Sequence, residues 1–221
     1  MFPTELVFID IETTALAGPD ADTDAIIEIA AARVDLKTRA IDAWSTLVRP
    51  ARVGEPGAAP YVSFPTWVLG DFHAGRYDNV DWQRDGVTIN DALQLLEDQF
   101  LRPGVTIAGQ NPSFDLRYLR RDWEAVRRLD ASQGGTWPAF PKLDHHVIDL
   151  VSPAFLLAMT GATPGCSLRH TIPIARPGVT PTHRAMQDVL DTIAVFWMLA
   201  DMMERGWNAR ASRLFEPRGA R

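Results

Sequence analysis

The chain has 221 residues, of which 46% are hydrophobic and 23% charged, with a formal net charge of −6. The length suits one α/β domain, and the composition is that of a globular protein rather than a disordered one. Cys166, its one cysteine, excludes an internal disulfide. The acidic start over residues 1–12 does not resemble a signal peptide, so we expect a cytoplasmic protein. The late apolar run over 193–200 is far shorter than the roughly 20 residues that a membrane span needs, so no membrane contact is expected.

Three strands are predicted at the start of the chain. Residues 5–10 (ELVFID) are apolar and rich in β-formers, and residues 25–35 and 41–48 share this character. The short connections between them predict an antiparallel meander. Residues 50–87 contain several prolines and no clean hydrophobic period, which predicts an insertion or lid after the third strand.

Helices and short strands alternate in the second half of the chain. The predicted elements are a helix over 91–101 capped by Thr88 or Asn90, a strand over 105–109, a helix over 114–128 capped by Ser113, a strand over 147–150, a helix over 153–159 and a long helix from the cap Thr182 to about Arg205. The order βββαβαβαα indicates an α/β fold with a mixed sheet. Residues 206–221 are predicted to form an arginine-bearing tail.

Asp10 and Glu12 form an acidic pair at the end of the first predicted strand. Side chains alternate along a strand, so both carboxylates point to the same side. Two acids this close repel each other unless a cation lies between them, and hard oxygen ligands suit magnesium or manganese. The alternative is an exposed acidic strand end.

Asp115 opens a predicted helix in the segment GQNPSFDLRYL, where an acid is also favoured by the helix dipole alone. His183 and Asp188 occur together in HRAMQD. If His183 precedes the last helix and Asp188 lies in an early turn, both face one cleft. Asp188 falls beside apolar Val189, where an unpartnered carboxylate is costly and a metal or a cationic group would remove that cost. His183 is otherwise a surface histidine at a helix N-terminus.

Three segments resemble the exonuclease motifs of the DEDDh, or DnaQ-like, 3′→5′ exonucleases. They are VFIDIETTAL, GQNPSFDLRYL and HRAMQDVLDT, and they occur in the family's order. The segments IIEIAAARVD and SLRHTI are similar to the family's second strand and to the short helix before its third motif. The resemblance implies a ribonuclease-H-like fold, a mixed β-sheet flanked by helices. It also implies an exonuclease domain over 1–205, interrupted by the 50–87 insertion and followed by the 206–221 tail.

The resemblance also carries over site residues position by position. The residues that match the family's four metal-binding acids are Asp10, Glu12, Asp115 and Asp188, and His183 matches the general base. The positions that match contacts to the 3′-terminal nucleotide are Thr13, Thr14 and Leu16, and Asn111 matches the asparagine of the second motif. Ala15 replaces the usual glycine and Gln110 the usual histidine, which affects nucleotide binding but removes no ligand.

The activity that the resemblance implies is hydrolysis of nucleic-acid 3′ ends to nucleoside monophosphates. Two Mg²⁺ ions, or two Mn²⁺ ions, about 4 Å apart would serve the scissile phosphate. His183, with an ordinary pKa of about 6.5, would take a proton from the attacking water. The expected partner is nucleic acid, with single-stranded 3′ ends favoured. The alternatives are a catalytically weak nucleic-acid-binding module and a proofreading module bound to a DNA polymerase. The sequence leaves DNA and RNA both open.

Several other polar groups have two interpretations. The arginines that follow Asp115 suit a solvated helix face better than a phosphate track. The aromatics of residues 50–87 suit a small core of their own better than base stacking. Glu28 is either an outer group of the metal site or a paired structural acid. The histidines other than His183, together with Cys166, lack the spacing of a zinc site, so no zinc is expected.

Overall fold

A computed structural model describes residues 3–14, 25–49, 76–77 and 79–215. The side chains of Gln83 and of residues 207–215 fall outside that description.

Six strands within these ranges form one mixed sheet, in the order β4-β3-β2-β1-β5-β6. Their bounds are β1 Glu5–Thr13, β2 Ile26–Asp35, β3 Ile41–Val48, β4 Gly86–Val87, β5 Ile107–Gly109 and β6 Val147–Asp149. β1, β2 and β3 form the predicted antiparallel meander, whereas β5 and β6 run parallel to β1. β4 pairs in parallel with the end of β3 and was not predicted, because two residues are too few for a hydrophobic period.

Six helices surround this sheet within the described residues. They are α1 Trp82–Asp85, α2 Ile89–Gln99, α3 Pro112–Ser132, α4 Val151–Met159, α5 Leu168–Ala175 and α6 Ala185–Phe215. Thr88 caps α2 as predicted, because its Oγ1 accepts a hydrogen bond from the Asp91 amide at 3.1 Å. The predicted cap of α3 was wrong. Ser113 lies inside the helix, and the cap position is Asn111.

The last helix differs from its prediction at both ends. α6 begins at Ala185, three residues after the proposed cap Thr182, and continues to Phe215, well past the expected end near Arg205. The expected stop rested on Gly206, but glycine costs a helix interior only about 1 kcal/mol. The alanine and arginine residues that follow favour helix, so the first part of the predicted tail continues α6.

Two hydrophobic cores, one on each face of the sheet, fix the orientation of β1. Val7, Ile9 and Ile11 face α2 and α3. Leu6 and Phe8 face α6, which approaches closely over the small alanines of β2. Because side chains alternate along a strand, Asp10 and Glu12 continue the α6 side of β1. The hydrophobic pattern therefore decides which side of the sheet carries the acidic pair.

No helix in the described ranges has both the length and the apolar character that crossing a membrane requires.

The core facing α2 yields a stability prediction with a control on the same helix. Leu93 is fully buried, whereas Leu95 is 36% exposed. Leu93→Ala is expected to lower the free energy of unfolding by about 2–5 kcal/mol, because it removes buried methyl groups and leaves a cavity. Leu95→Ala is expected to cost less than about 1 kcal/mol. Urea unfolding measures both, and equal losses would contradict this assignment of the core.

Candidate metal centre

Three chain segments bring their carboxylates together at the C-terminal end of β1. Asp10 and Glu12 come from β1, Asp115 from the first turn of α3 and Asp188 from the first turn of α6. The Ile11 amide donates a hydrogen bond to Asp115 Oδ1 at 3.0 Å, which ties α3 to β1.

A tight connection between β5 and α3 delivers Asp115. A Cβ atom at Gly109 would lie 3.0 Å from the Pro112 Cβ and 3.3 Å from the Ile9 carbonyl oxygen. Glycine is therefore the residue that lets the chain turn into α3 beside β1. Asn111 completes the turn in the left-handed conformation, with φ of 61°, which asparagine tolerates better than most residues.

The β1 acids have strongly perturbed pKa values. Burial raises the pKa of Asp10 well above its usual range, and repulsion by Asp115, Glu12 and Asp188 raises it further. Burial raises the pKa of Glu12 to about 8, with further repulsion from Asp188 and Glu28. These shifts have the signature of carboxylates held close together without enough opposing positive charge.

The helix acids are perturbed in the same direction. Burial raises the pKa of Asp115 to about 8, against the hydrogen bond from the Ile11 amide. Burial and then repulsion by Asp191 raise the pKa of Asp188 to about 6, against hydrogen bonds from the backbone of Thr182 and His183. Asp188 Oδ1 is buried and has no hydrogen-bond partner among the described residues.

The donor set fits a hard divalent cation. All four acids offer carboxylate oxygens, the ligands that Mg²⁺ and Mn²⁺ prefer. Asp188 Oδ1 has no hydrogen-bond partner among the described residues, and a bound cation would give it a positively charged partner. The cation would also offset the burial that raises all four pKa values and the repulsion that adds to it at Asp10 and Glu12.

His183 lies at the rim of this cluster, two residues before α6. Its Nδ1 is 4.0 Å from Asp188 Oδ2, and its side chain is 59% exposed. Donor atoms of Glu12, His183 and Asp188 lie within 4.8 Å of one another. His183 has a left-handed backbone, with φ of 51°, so this short segment is held away from ordinary helical geometry. The imidazole is thus beside the acids and open to solvent.

The predicted nucleotide-contact residues have different surroundings. Thr14 joins the two ends of the segment over 15–24. Its amide donates to the Ala25 carbonyl, and its Oγ1 accepts from the Ala25 amide, both at 2.9 Å. Thr13 ends β1 and is buried. The Asn111 residue is exposed, and its backbone amide donates to Asp149 Oδ1 at 3.0 Å. Leu16 lies outside the described residues.

Sequence reasoning missed two arginines at this site. The Arg76 guanidinium lowers the pKa of both Glu12 and Asp188, which places positive charge next to them. Arg184 forms an ion pair with Glu28. Residues 50–87 lack a hydrophobic period, so no sequence signal pointed to Arg76. Arg184 was overlooked beside the more conspicuous His183.

A second group of donor atoms lies at the opposite end of the sheet, just before β6. Asp144, His145 and His146 have donor atoms within 4.8 Å of one another. Asp144 Oδ1 is 2.9 Å from His146 Nδ1 and 3.3 Å from His145 Nδ1, and both rings are largely exposed. The contacts of Asp144 with the two histidines explain why these donor atoms lie close together.

Comparisons with known proteins identify the fold. No protein-family model and no curated protein matches the sequence. Exonuclease I of E. coli, solved with a 5cy-dA13 oligonucleotide, matches with a TM-score of 0.53 and 18% identity over 90% of this chain and 41% of that one. Exonuclease I of Methylocaldum szegediense matches with a TM-score of 0.56 and 19% identity over the same shares. Cell-death related nuclease 4 matches with a TM-score of 0.55 and 14% identity, over 90% of this chain and 64% of that one.

This chain thus spans about two fifths of the length of the two exonuclease I chains. The predicted ribonuclease-H-like fold, a mixed β-sheet flanked by helices, is confirmed.

The raised pKa values predict how pH and cations change stability. Glu12 and Asp115 have folded pKa values of about 8, and Asp188 of about 6, against ordinary values of 4.5, 3.8 and 3.8. The folded state therefore binds more protons than the unfolded state between about pH 4 and pH 8. In chelator, the Tm is expected to fall as pH rises through this window, and magnesium is expected to reverse most of the fall at pH 8.

Thermal unfolding at pH 5.5 and 8.0, with chelator and with MgCl₂, checks this expectation. The double variant Glu12→Gln/Asp188→Asn is the control, because it removes two of the titrating groups and should show weaker responses to both pH and magnesium. A magnesium effect of equal size in the parent and the double variant would contradict the assignment of the site.

Proposed function

We propose that this chain is a metal-dependent 3′→5′ exonuclease that hydrolyses nucleic-acid 3′ ends to nucleoside monophosphates. The observation that carries the proposal is the convergence of four carboxylates from β1, α3 and α6 on a fold shared with exonucleases. The motif resemblance, the donor chemistry and the fold all point to phosphodiester hydrolysis.

The residues that would hold the cations are Asp10, Glu12, Asp115 and Asp188. When bound, two Mg²⁺ or Mn²⁺ ions would supply positive charge to the scissile phosphate and lower the pKa of water. The chain itself prepares the site in two ways. Burial limits the access of competing water to Asp115 and Asp188, and the hydrogen bond from the Ile11 amide fixes Asp115 against β1.

His183 is proposed to take the proton from the attacking water. Its Nδ1 is 4.0 Å from Asp188 Oδ2, so the imidazole lies beside the carboxylates that would hold the cations. The Asp188 carboxylate then stabilises the imidazolium that forms. The exposure of the imidazole is consistent with this role, because a buried ring would not reach water that enters with the substrate.

The substrate proposed is a single strand with a free 3′ hydroxyl. The E. coli protein that shares the fold was solved with a dA13 oligonucleotide, which supports single-stranded DNA as the first substrate to test. Arg76 adds positive charge near the acids, where a polyanion would approach. The weak binding module is not favoured, since all five chemical positions are filled. No observation favours the polymerase-bound module, which would share this chemistry.

Degradation of end-labelled nucleic acids tests direction and substrate together. With magnesium or manganese, 5′-labelled single-stranded DNA is expected to shorten stepwise, and 3′-labelled DNA is expected to release its label at once as a mononucleotide. Double-stranded DNA and short RNA, digested in parallel, define the preference. Chelator is expected to abolish every reaction. Internal cleavage of a circular single strand would contradict exonuclease action.

Substitutions of the site residues should separate metal binding from proton transfer. His183→Ala is expected to lower kcat by about 10²–10⁴-fold, the usual contribution of a general base. Asp10→Asn and Asp188→Asn are expected to lower kcat at least as much, because each removes a charged ligand. Asp201→Asn is the control: Asp201 lies on α6 like Asp188, but pairs with Arg39 at a distance from the cluster. Full magnesium-dependent activity in Asp10→Asn or Asp188→Asn would contradict the proposed function.

A further inference from the structure

Glu28 is a buried acid directly opposite another acid. It pairs with Glu12 in the register of β1 and β2, and the residue is 3% exposed. Like charges facing each other across an antiparallel pair destabilise a sheet. A carboxylate in this position therefore needs strong donors of its own.

Two side chains from distant parts of the chain supply these donors. Tyr77 Oη donates to Glu28 Oε2 at 2.5 Å. Arg184 donates from Nε to Oε2 at 2.9 Å and from Nη2 to Oε1 at 3.3 Å, so it holds both carboxylate oxygens. The Arg184 guanidinium also lies 4.8 Å from the centre of the Tyr77 ring. The three side chains form one connected unit, the Glu28 clamp.

The Glu28 clamp includes Arg184, which directly follows His183 in the chain. Arg184 is the one residue between His183 and the start of α6. His183 has a left-handed backbone, which is uncommon for a residue other than glycine and is favoured here by contacts that hold the segment. Arg184, forked onto a buried carboxylate of β2, is such a restraint. It connects the position of the imidazole to the same strand pair that carries Asp10 and Glu12.

We propose that Glu28 is a positioning residue that, through Arg184 and Tyr77, holds His183 at the rim of the acidic cluster. This proposal rests on the proposed function, since it assigns a role in the step that His183 performs. It differs from a purely structural role, in which the ion pair would stabilise the fold and leave the chemical step unaffected.

A double-mutant cycle between Arg184 and His183 separates the two roles. Single-turnover degradation of a 5′-labelled oligothymidine with magnesium gives the cleavage rate for each variant. Arg184→Ala is expected to lower the rate by about 10–100-fold, the size seen for outer partners of metal-site ligands, with little change in substrate affinity. In the His183→Ala background the same substitution is expected to change the rate less than about twofold, because the group it positions is gone.

Conservative variants keep the test informative if Arg184→Ala folds poorly. Arg184→Lys is expected to regain part of the rate, because lysine keeps the charge but loses the forked geometry. Glu28→Gln keeps the volume and an acceptor for Tyr77, and is expected to lose rate in the parent but not in the His183→Ala background. Arg39→Ala is the matched control. Arg39 pairs with Asp201 at 2.6 Å and lies 4.3 Å from the Trp197 ring centre, at the other end of β2.

The outcomes separate the positioning role from the proposed function. Equal fold-losses for Arg184→Ala in the parent and in the His183→Ala background would overturn the positioning role while the enzyme remains an exonuclease. A change in unfolding stability alone, with an unchanged rate in both Arg184→Ala and Glu28→Gln, would overturn it as well. Absence of metal-dependent degradation by the parent chain would overturn the proposed function and, with it, the role of Glu28.

Discussion

Crowding of negative charge at the C-terminal end of β1 is the constraint on which this molecule depends. Four carboxylates meet there. Burial favours the protonated form of each, and repulsion by neighbouring carboxylates adds to this effect at Asp10 and Glu12. Such a cluster persists only because the surrounding structure holds it. Cores on both faces of the sheet fix β1, and the Ile11 amide secures Asp115. The fold thus maintains a site that divalent cations would stabilise and that is electrostatically unfavourable without them.

Two arginines bring positive charge next to this cluster. Arg184 forms an ion pair with Glu28. Arg76 lowers the pKa of Glu12 and Asp188, but by less than burial raises it. Positive charge beside the carboxylate cluster suits a polyanionic substrate whose phosphate must reach the bound metal ions. Glu28 belongs to both parts, since it repels Glu12 and anchors Arg184.

The parts of the site that follow a local rule were predictable. Strand alternation puts Asp10 and Glu12 on one side of β1, and the first turns of α3 and α6 carry Asp115 and Asp188. The rest depends on contacts between distant positions. Arg184 meets Glu28 across 156 residues, and no periodicity in one sequence relates such a pair. Arg76 and Tyr77 follow a segment without a hydrophobic period. Likewise, the continuation of α6 beyond Gly206 reflects a glycine penalty too small to end a helix.

Anomalous diffraction from crystals soaked in manganese tests the central claim most directly, because it locates cations without requiring turnover. We expect manganese density enclosed by Asp10, Glu12, Asp115 and Asp188, and we expect that density to be lost in crystals of Asp188→Asn. Carboxylates that point away from one another, or manganese bound elsewhere with none among these four acids, would contradict it.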